Sequence, residues 1–299
     1  MNESVYKNYS TTSSSNIVLV NCLINIPLML AAILGNSLVL AAILTSTSLR
    51  SRASMILLAG LAVSDLAVGL FTQPFYIAQE LSLKYGLIAK ISYTMSSSLM
   101  GISLATMALI SVDRLLVLQC HMSYYALVTT PRVIFILVFI WILHFFVSCI
   151  RLVFNAIFTS VAYVLLGGYN VASIICYVNI YCVARRHQSQ IRIQQRAAQG
   201  SNKETSIRNI AAMTYAALNT FVFYMCACFC YFPRVIYFLS RGVNSDPIDS
   251  NTPWVFTATL IFANSAINPL LYCWRLRELR IAVKSTLAKI SCSEQQQNN

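Results

Sequence analysis

Charged side chains are missing from long stretches of this chain, and their spacing limits the possible folds more than any other feature. Residues 8–49, 91–112, 133–150, 152–184, 209–233 and 250–274 contain no Asp, Glu, Lys or Arg, and residues 53–79 contain one, Asp65. A helix of about 20 mostly apolar residues crosses a bilayer, and in lipid the backbone must satisfy its own hydrogen bonds. The seven windows therefore predict an all-α membrane protein, a seven-transmembrane helix bundle. Its helices fall at 17–44, 54–79, 88–118, 132–154, 157–184, 207–240 and 252–274. With 58% of 299 residues hydrophobic and 10% charged, no separate soluble domain is expected.

A net charge of +12 raises the question of nucleic acid, and the placement of the basic residues answers it. Arg50, Arg52, Arg114, Arg132, Arg185, Arg186, Arg192, Arg196, Lys203, Arg208, Arg275, Arg277, Arg280, Lys284 and Lys289 follow windows one, three, five and seven, leaving six of the 21 for the other side. By the positive-inside rule the fifteen face the cytoplasm, so the N-terminus is outside, and the charge records topology with no nucleic-acid partner. Residues 1–16 read as an extracellular tail with Asn2 and Asn8 as glycan acceptors, and 17–274 as the membrane domain. No cleavable signal pattern precedes the first window, so helix one is expected to serve as its own insertion signal. Residues 275–290, with Leu276, Leu279, Ile281, Ala282 and Leu287 among basic side chains, read as an amphipathic helix on the inner membrane surface in contact with lipids. Residues 291–299 read as a cytoplasmic tail, with Cys292 a candidate for lipidation. The other cysteines lie mostly inside apolar windows and read as small buried hydrophobes.

Polar groups inside the windows need a reason to be there. An ionised carboxylate near the bilayer centre costs about 3 kcal/mol, so Asp65 in helix two calls for partners. Asn36, Ser103, Asn264 and Asn268 are the matching polar residues of helices one, three and seven. Together they could form a hydrated pocket for a monovalent metal ion such as Na⁺, or a static hydrogen-bond network between helices. Pro233 and Pro269 each remove a backbone donor and mark kinks about which a half-helix can swing, with Pro27 and Pro74 as further candidates. Asp113 and Arg114 end helix three as an acid–base pair.

The residues Gly35-Asn36, Leu61-Ala62-Val63-Ser64-Asp65, Asp113-Arg114-Leu115, Trp141, Tyr177, Cys230-Tyr231-Phe232-Pro233 and Asn268-Pro269-Leu270-Leu271-Tyr272 stand one motif per window. In this order they resemble the rhodopsin-like (class A) G-protein-coupled receptors over residues 17–290. The resemblance implies a plasma-membrane, multi-pass receptor that binds an extracellular ligand and activates a heterotrimeric G protein, with arrestin as a further partner. It also implies that Asp65, Ser103, Asn264 and Asn268, with Asn36 beside them, hold Na⁺ as an allosteric ion, with no other cofactor. Arg114 would be released from Asp113 to meet the G protein, Tyr177 and Tyr272 would swing in beside it, and Met122 would pack into the transducer.

Several positions depart from the family pattern. Leu115 replaces the tyrosine of the Asp-Arg-Tyr triplet, and His121 the proline of the second inner loop. Tyr231 replaces the tryptophan at the ligand-pocket floor, Ala227 a phenylalanine of the activation core, and Tyr169 the proline of helix five. Ala89 stands where the outer disulfide would begin. Loss of that disulfide together with the proline looks like the melanocortin, cannabinoid, lysolipid and adenosine receptor group, while Asn268-Pro269 departs from its melanocortin branch.

The ligand class follows by elimination. Residues 252–274 hold no lysine for retinal, and Ser96 stands where an amine receptor carries aspartate. Arg234 could fix a carboxylate or phosphate, with Ser92, Ser96, Gln73, Tyr231 and Trp254 as further lining candidates, or it could pair with Glu80 or snorkel to the outer surface. Enzymatic chemistry is not expected, since His121, His144 and His187 lie on separate segments and Asp65 is the lone intramembrane acid. A receptor-like scaffold that does not signal and an ion channel or transporter are the alternatives, the latter disfavoured by the lack of internal repeats.

Overall fold

Each of the seven windows carries a helix long and apolar enough to cross a membrane in the computed structural model, which describes residues 3–82, 87–120, 123–151, 155–197, 220–237, 240 and 252–297. Helix one is Glu3–Thr45, helix three Leu87–Cys120, helix four Thr130–Arg151, helix five Asn155–Ala197 and helix seven Thr252–Arg275. Helix six is described over Thr220–Tyr237. Helix two has three parts, Ala53–Ala67, a π turn at Val68–Thr72 and Gln73–Ser82. Short helices at Thr47–Arg50 and Tyr124–Leu127 occupy the connections after helices one and three.

Three boundaries differ from the sequence reading. Helix one begins at Glu3, so most of the expected tail 1–16 is helical. Helix five continues to Ala197, carrying Arg185, Arg186, Arg192 and Arg196 beyond the apolar span, which ends at Val183. The surface helix runs Arg277–Gln297, past the expected end at 290. None of these segments contains a helix-breaking proline or glycine, so nothing local stops the helix.

The π turn has a local cause in Pro74. A proline has no N–H to offer the carbonyl four residues back, here Leu70, and its ring crowds that carbonyl. Widening the preceding turn relieves the clash and moves the break to Val68–Thr72. Gly69 lies in this turn, and a β-carbon there would come within 2.9 Å of Ile33, so its missing side chain lets helices one and two approach.

Burial is inverted relative to a water-soluble bundle. Leu34, Phe135, Val164, Phe229 and Leu270 are each more than two-thirds exposed, whereas Asn36, Asp65, Ser103, Asn264, Ser265 and Asn268 are buried. Lipid accepts the apolar surface, and the polar groups must find one another inside. At the end of the bundle that carries Arg52 and Arg275, Val39, Ile43, Leu58, Leu61, Tyr272 and Leu279 share one core. Leu279 and Val283 anchor the surface helix to it, while Ile281 and Leu287 stay exposed, on a face suited to lipid. An ion pair between Arg52 and Glu278 ties the same helix to the start of helix two.

Candidate functional site

Asp65 sits at the centre of a polar layer and is completely buried. Ser265 Oγ donates to its Oδ1 and Asn268 Nδ2 to its Oδ2, each at 2.8 Å. Asn36 approaches from helix one, where its Nδ2 donates to the carbonyls of Ala32 at 2.8 Å and Ser265 at 3.0 Å. The second bond follows from Pro269. That proline leaves the Ser265 carbonyl, four residues earlier, without its helical donor, and Asn36 supplies one from across the interface. Gly35 makes the approach possible, since a β-carbon there would lie 2.9 Å from the Pro269 ring. Asn264 Nδ2 donates to Tyr231 Oη at 3.3 Å.

Hydrogen-bond accounting leaves oxygens unused in this layer. Ser103 Oγ, Asn36 Oδ1, Asn268 Oδ1 and Tyr272 Oη are buried without a hydrogen-bond partner among the described residues. Around a buried carboxylate with no cationic side chain bonded to it, unsatisfied oxygens fit a small hard cation or ordered water. The residues present thus match what Na⁺ requires, with Asp65 supplying the charge and Ser103 and Asn268 neutral oxygens.

Towards the C-terminal end of helix three, Asp113 and Arg114 hold each other. Arg114 Nη2 is 3.4 Å from Asp113 Oδ2, and the acid is almost fully buried while the base is partly exposed. Asp113 Oδ1 accepts a 2.6 Å bond from Tyr124 Oη, on the short helix after helix three. Burial, with the adjacent Asp113 carboxylate, pushes the Tyr124 phenol above its ordinary pKa, so it remains a donor. Tyr177 and Tyr272 occupy separate aromatic nests. Tyr177 packs on Phe221 and Tyr224 with centroids 5.1 and 5.4 Å away, and Tyr272 meets Phe223 edge-on at 5.2 Å. Among the described residues the two tyrosines share no hydrogen bond, and Arg114 is held by its neighbour Asp113.

A family model described as "7 transmembrane receptor (rhodopsin family)" matches residues 35–164. The histamine H2 receptor of Cavia porcellus is 29% identical over 283 residues, 85% of this chain and 76% of the relative. Adenosine receptor A2b of Gallus gallus is 24% identical over 304 residues, 87% and 86% of the two chains. The 5-hydroxytryptamine receptor 4 of Cavia porcellus is 26% identical over 297 residues, 85% and 75%. The family match and these relatives, together with the seven spans, support a rhodopsin-family (class A) G-protein-coupled receptor. They support a multi-pass membrane receptor and not an enzyme, one that takes an extracellular ligand and signals through G proteins.

In this rhodopsin-family bundle a narrow cavity of about 10 Å³ lies just outside the Asp65 layer, bounded by Val68, Thr72, Ser96, Leu99, Ser103 and Tyr231 among others. That is room for about one water. Of the six ligand candidates, Ser96 and Tyr231 line it. Gln73 is fully buried with both amide atoms unpartnered among the described residues, and Ser92 is buried as well; neither lines this cavity. Arg234 is half-buried and reaches helix seven, where Nη1 donates to Thr257 Oγ1 at 3.0 Å. Trp254, Asn8 and Cys292 lie on helices, but their side chains are outside the described residues, as are Asn2 and Met122 entirely.

Two partners of the receptor's central residues escape a reading of the sequence. Ser265 has a usable signal, being four residues before Pro269 and three before Asn268, on the same helix face. Tyr124 has none, because residues 121–127 carry no charge or periodicity that links them to Asp113.

Proposed function

We propose that the ligand of this receptor is neither retinal nor an amine held on helix three, and that it presents a neutral or anionic polar group to the outer half of the bundle. Ser96 carries this reading, because it stands where an amine receptor carries aspartate and lines, with Thr72 and Tyr231, a small cavity above Asp65 whose described lining holds no carboxylate. Arg234, fixed by Thr257, is the donor suited to a carboxylate or phosphate. Relatives named for histamine, 5-hydroxytryptamine and adenosine receptors lie at 24–29% identity, too close together to select a ligand.

In the same proposal Na⁺ occupies the Asp65 layer of the closed receptor, and a G protein captures Arg114 when the inner end opens. An agonist outside and a transducer inside then favour the same state, so each tightens binding of the other. Arrestin would use the same opening. The N-terminus faces outward at the plasma membrane, Asn2 and Asn8 are available for glycans, and Cys292 for a lipid anchor. Support for the orientation comes from the basic residues, and a C-terminal tag accessible to protease on intact cells would overturn it.

The deciding experiment records guanine-nucleotide exchange across a panel of G proteins, first without ligand and then with pooled acids, lipids, nucleosides and amines. Activity is expected in the acid, lipid or nucleoside pools. Strong activation by histamine or serotonin would reject the ligand reading.

A further inference from the structure

Tyr169 and Asn170 are neighbours on helix five that bind in opposite directions. Tyr169 Oη lies 3.0 Å from His144 Nε2 on helix four, with the rings 5.7 Å apart. His144 is itself buried, seated over Gly101 of helix three. Asn170 turns to helix six. Its Nδ2 donates to the Leu166 carbonyl at 2.8 Å, which fixes the amide so that Oδ1 faces outward from its own helix. That Oδ1 and the Asn170 carbonyl each accept from Tyr224 Oη at 3.2 Å, and Cys228 Sγ stands 3.9 Å from Oδ1.

Between Tyr224 and Cys228 lies Ala227, fully buried but contributing only a methyl group. Tyr224 and Cys228 pack with Tyr177 and Ile180 of helix five, so the hydroxyl bonds to Asn170 are polar contacts set within an apolar cluster, where they add direction to the packing between helices five and six. Tyr224 is also the ring against which Tyr177 packs.

We infer that Tyr169 and Asn170 form a two-sided latch: His144 fixes helix five to helix four, and Asn170 holds Tyr224, and through it the inner half of helix six, in the closed position. These are positioning residues for the signalling transition. Tyr224 lies nine residues inward of Pro233, about 13 Å along the helix axis. A swing of about 10° at the proline moves that turn by about 2 Å, enough to take a hydrogen bond out of range. Opening therefore breaks the Tyr224 contacts and frees Tyr177 in the same movement. The latch rests on membership of the receptor family and on the kink at Pro233, and not on the ligand reading.

The test is basal nucleotide exchange per receptor at the cell surface, without ligand. Tyr224→Phe keeps the ring and removes the hydroxyl, and exchange should rise about fivefold, the factor carried by one ordinary hydrogen bond. Asn170→Leu removes Oδ1 but keeps the backbone carbonyl that also accepts from Tyr224, so it should act in the same direction with a smaller rise, and the double variant should match Tyr224→Phe alone. Tyr169→Phe should give a smaller rise. A merely structural network would lower surface expression and melting temperature without raising exchange per receptor. Unchanged or lower exchange in Tyr224→Phe at normal expression overturns the latch, and this variant decides the matter even if Asn170→Leu does not reach the surface.

Discussion

Gly101 on helix three and His144 on helix four fit as notch and knob: a β-carbon built on Gly101 would collide with the imidazole Nδ1 and Cε1. The ring cannot retreat without leaving Tyr169, so one added methyl group should disturb three helices. Gly101→Ala is expected to cost about 1–3 kcal/mol, the usual range for overpacking a filled core. Thermal unfolding of the detergent-purified receptor measures it, and a melting temperature equal to wild type would show that His144 has room to move.

Asp113 should behave as the restraint on Arg114. In Asp113→Asn the amide carries no charge to hold the guanidinium, so basal exchange should rise. Tyr124→Phe removes the 2.6 Å bond that orients the carboxylate and should produce a smaller rise of the same sign. Measured on membranes with matched receptor numbers, a wild-type basal rate in Asp113→Asn would mean that the pair only marks a helix end.

How much of this receptor is legible in its sequence depends on which forces act locally. A bilayer imposes composition on every spanning residue, so six charge-free windows and one with a single acid suffice to place seven helices. Proline positions are equally plain, but not their consequences: Pro74 announces a break, whereas its repair by a π turn depends on Gly69 packing against Ile33. That turn takes in about one residue more than an α turn and rotates the rest of helix two by about 100°. Regular helical periodicity therefore puts Gln73, the first residue beyond the turn, on the wrong face. Asp65 announces a polar layer, but its full membership needs the Ser265 carbonyl and hydroxyl, whose signal is only their spacing from Asn268 and Pro269. The bond between Tyr124 and Asp113 joins a loop helix to a helix end and has no periodic signature.

Asp65→Asn should abolish stabilisation by Na⁺. The buried layer offers one charge and several free oxygens, and an amide cannot balance the ion. In wild type, replacing choline chloride by sodium chloride at constant ionic strength should raise the melting temperature, by about 2–4 °C for each 1 kcal/mol of ion binding. The variant should show no difference between the salts. A wild-type receptor that is also indifferent would leave the layer as a hydrogen-bond network between helices.

Arg234→Ala should weaken every carboxylate or phosphate that activates the wild type, because the guanidinium is the donor proposed for the ligand's anionic group. A hydrogen bond between charged partners contributes about 1.5–3 kcal/mol, so potency should fall about 10- to 100-fold. The bond from Arg234 to Thr257 is a confounder, since losing it loosens helix six from helix seven even if no ligand ever meets the arginine. Thr257→Val separates the two effects: it breaks the same interhelical bond but keeps the charge, and potency should stay within about threefold if recognition is the issue. Glu80, buried on the same side of the bundle near Tyr76, supplies the second control. Should Arg234 hold that carboxylate, Arg234→Ala will reach the surface poorly and adding Glu80→Gln will restore it. Full surface expression of Arg234→Ala with unchanged potency for all active acids would reject the anchor.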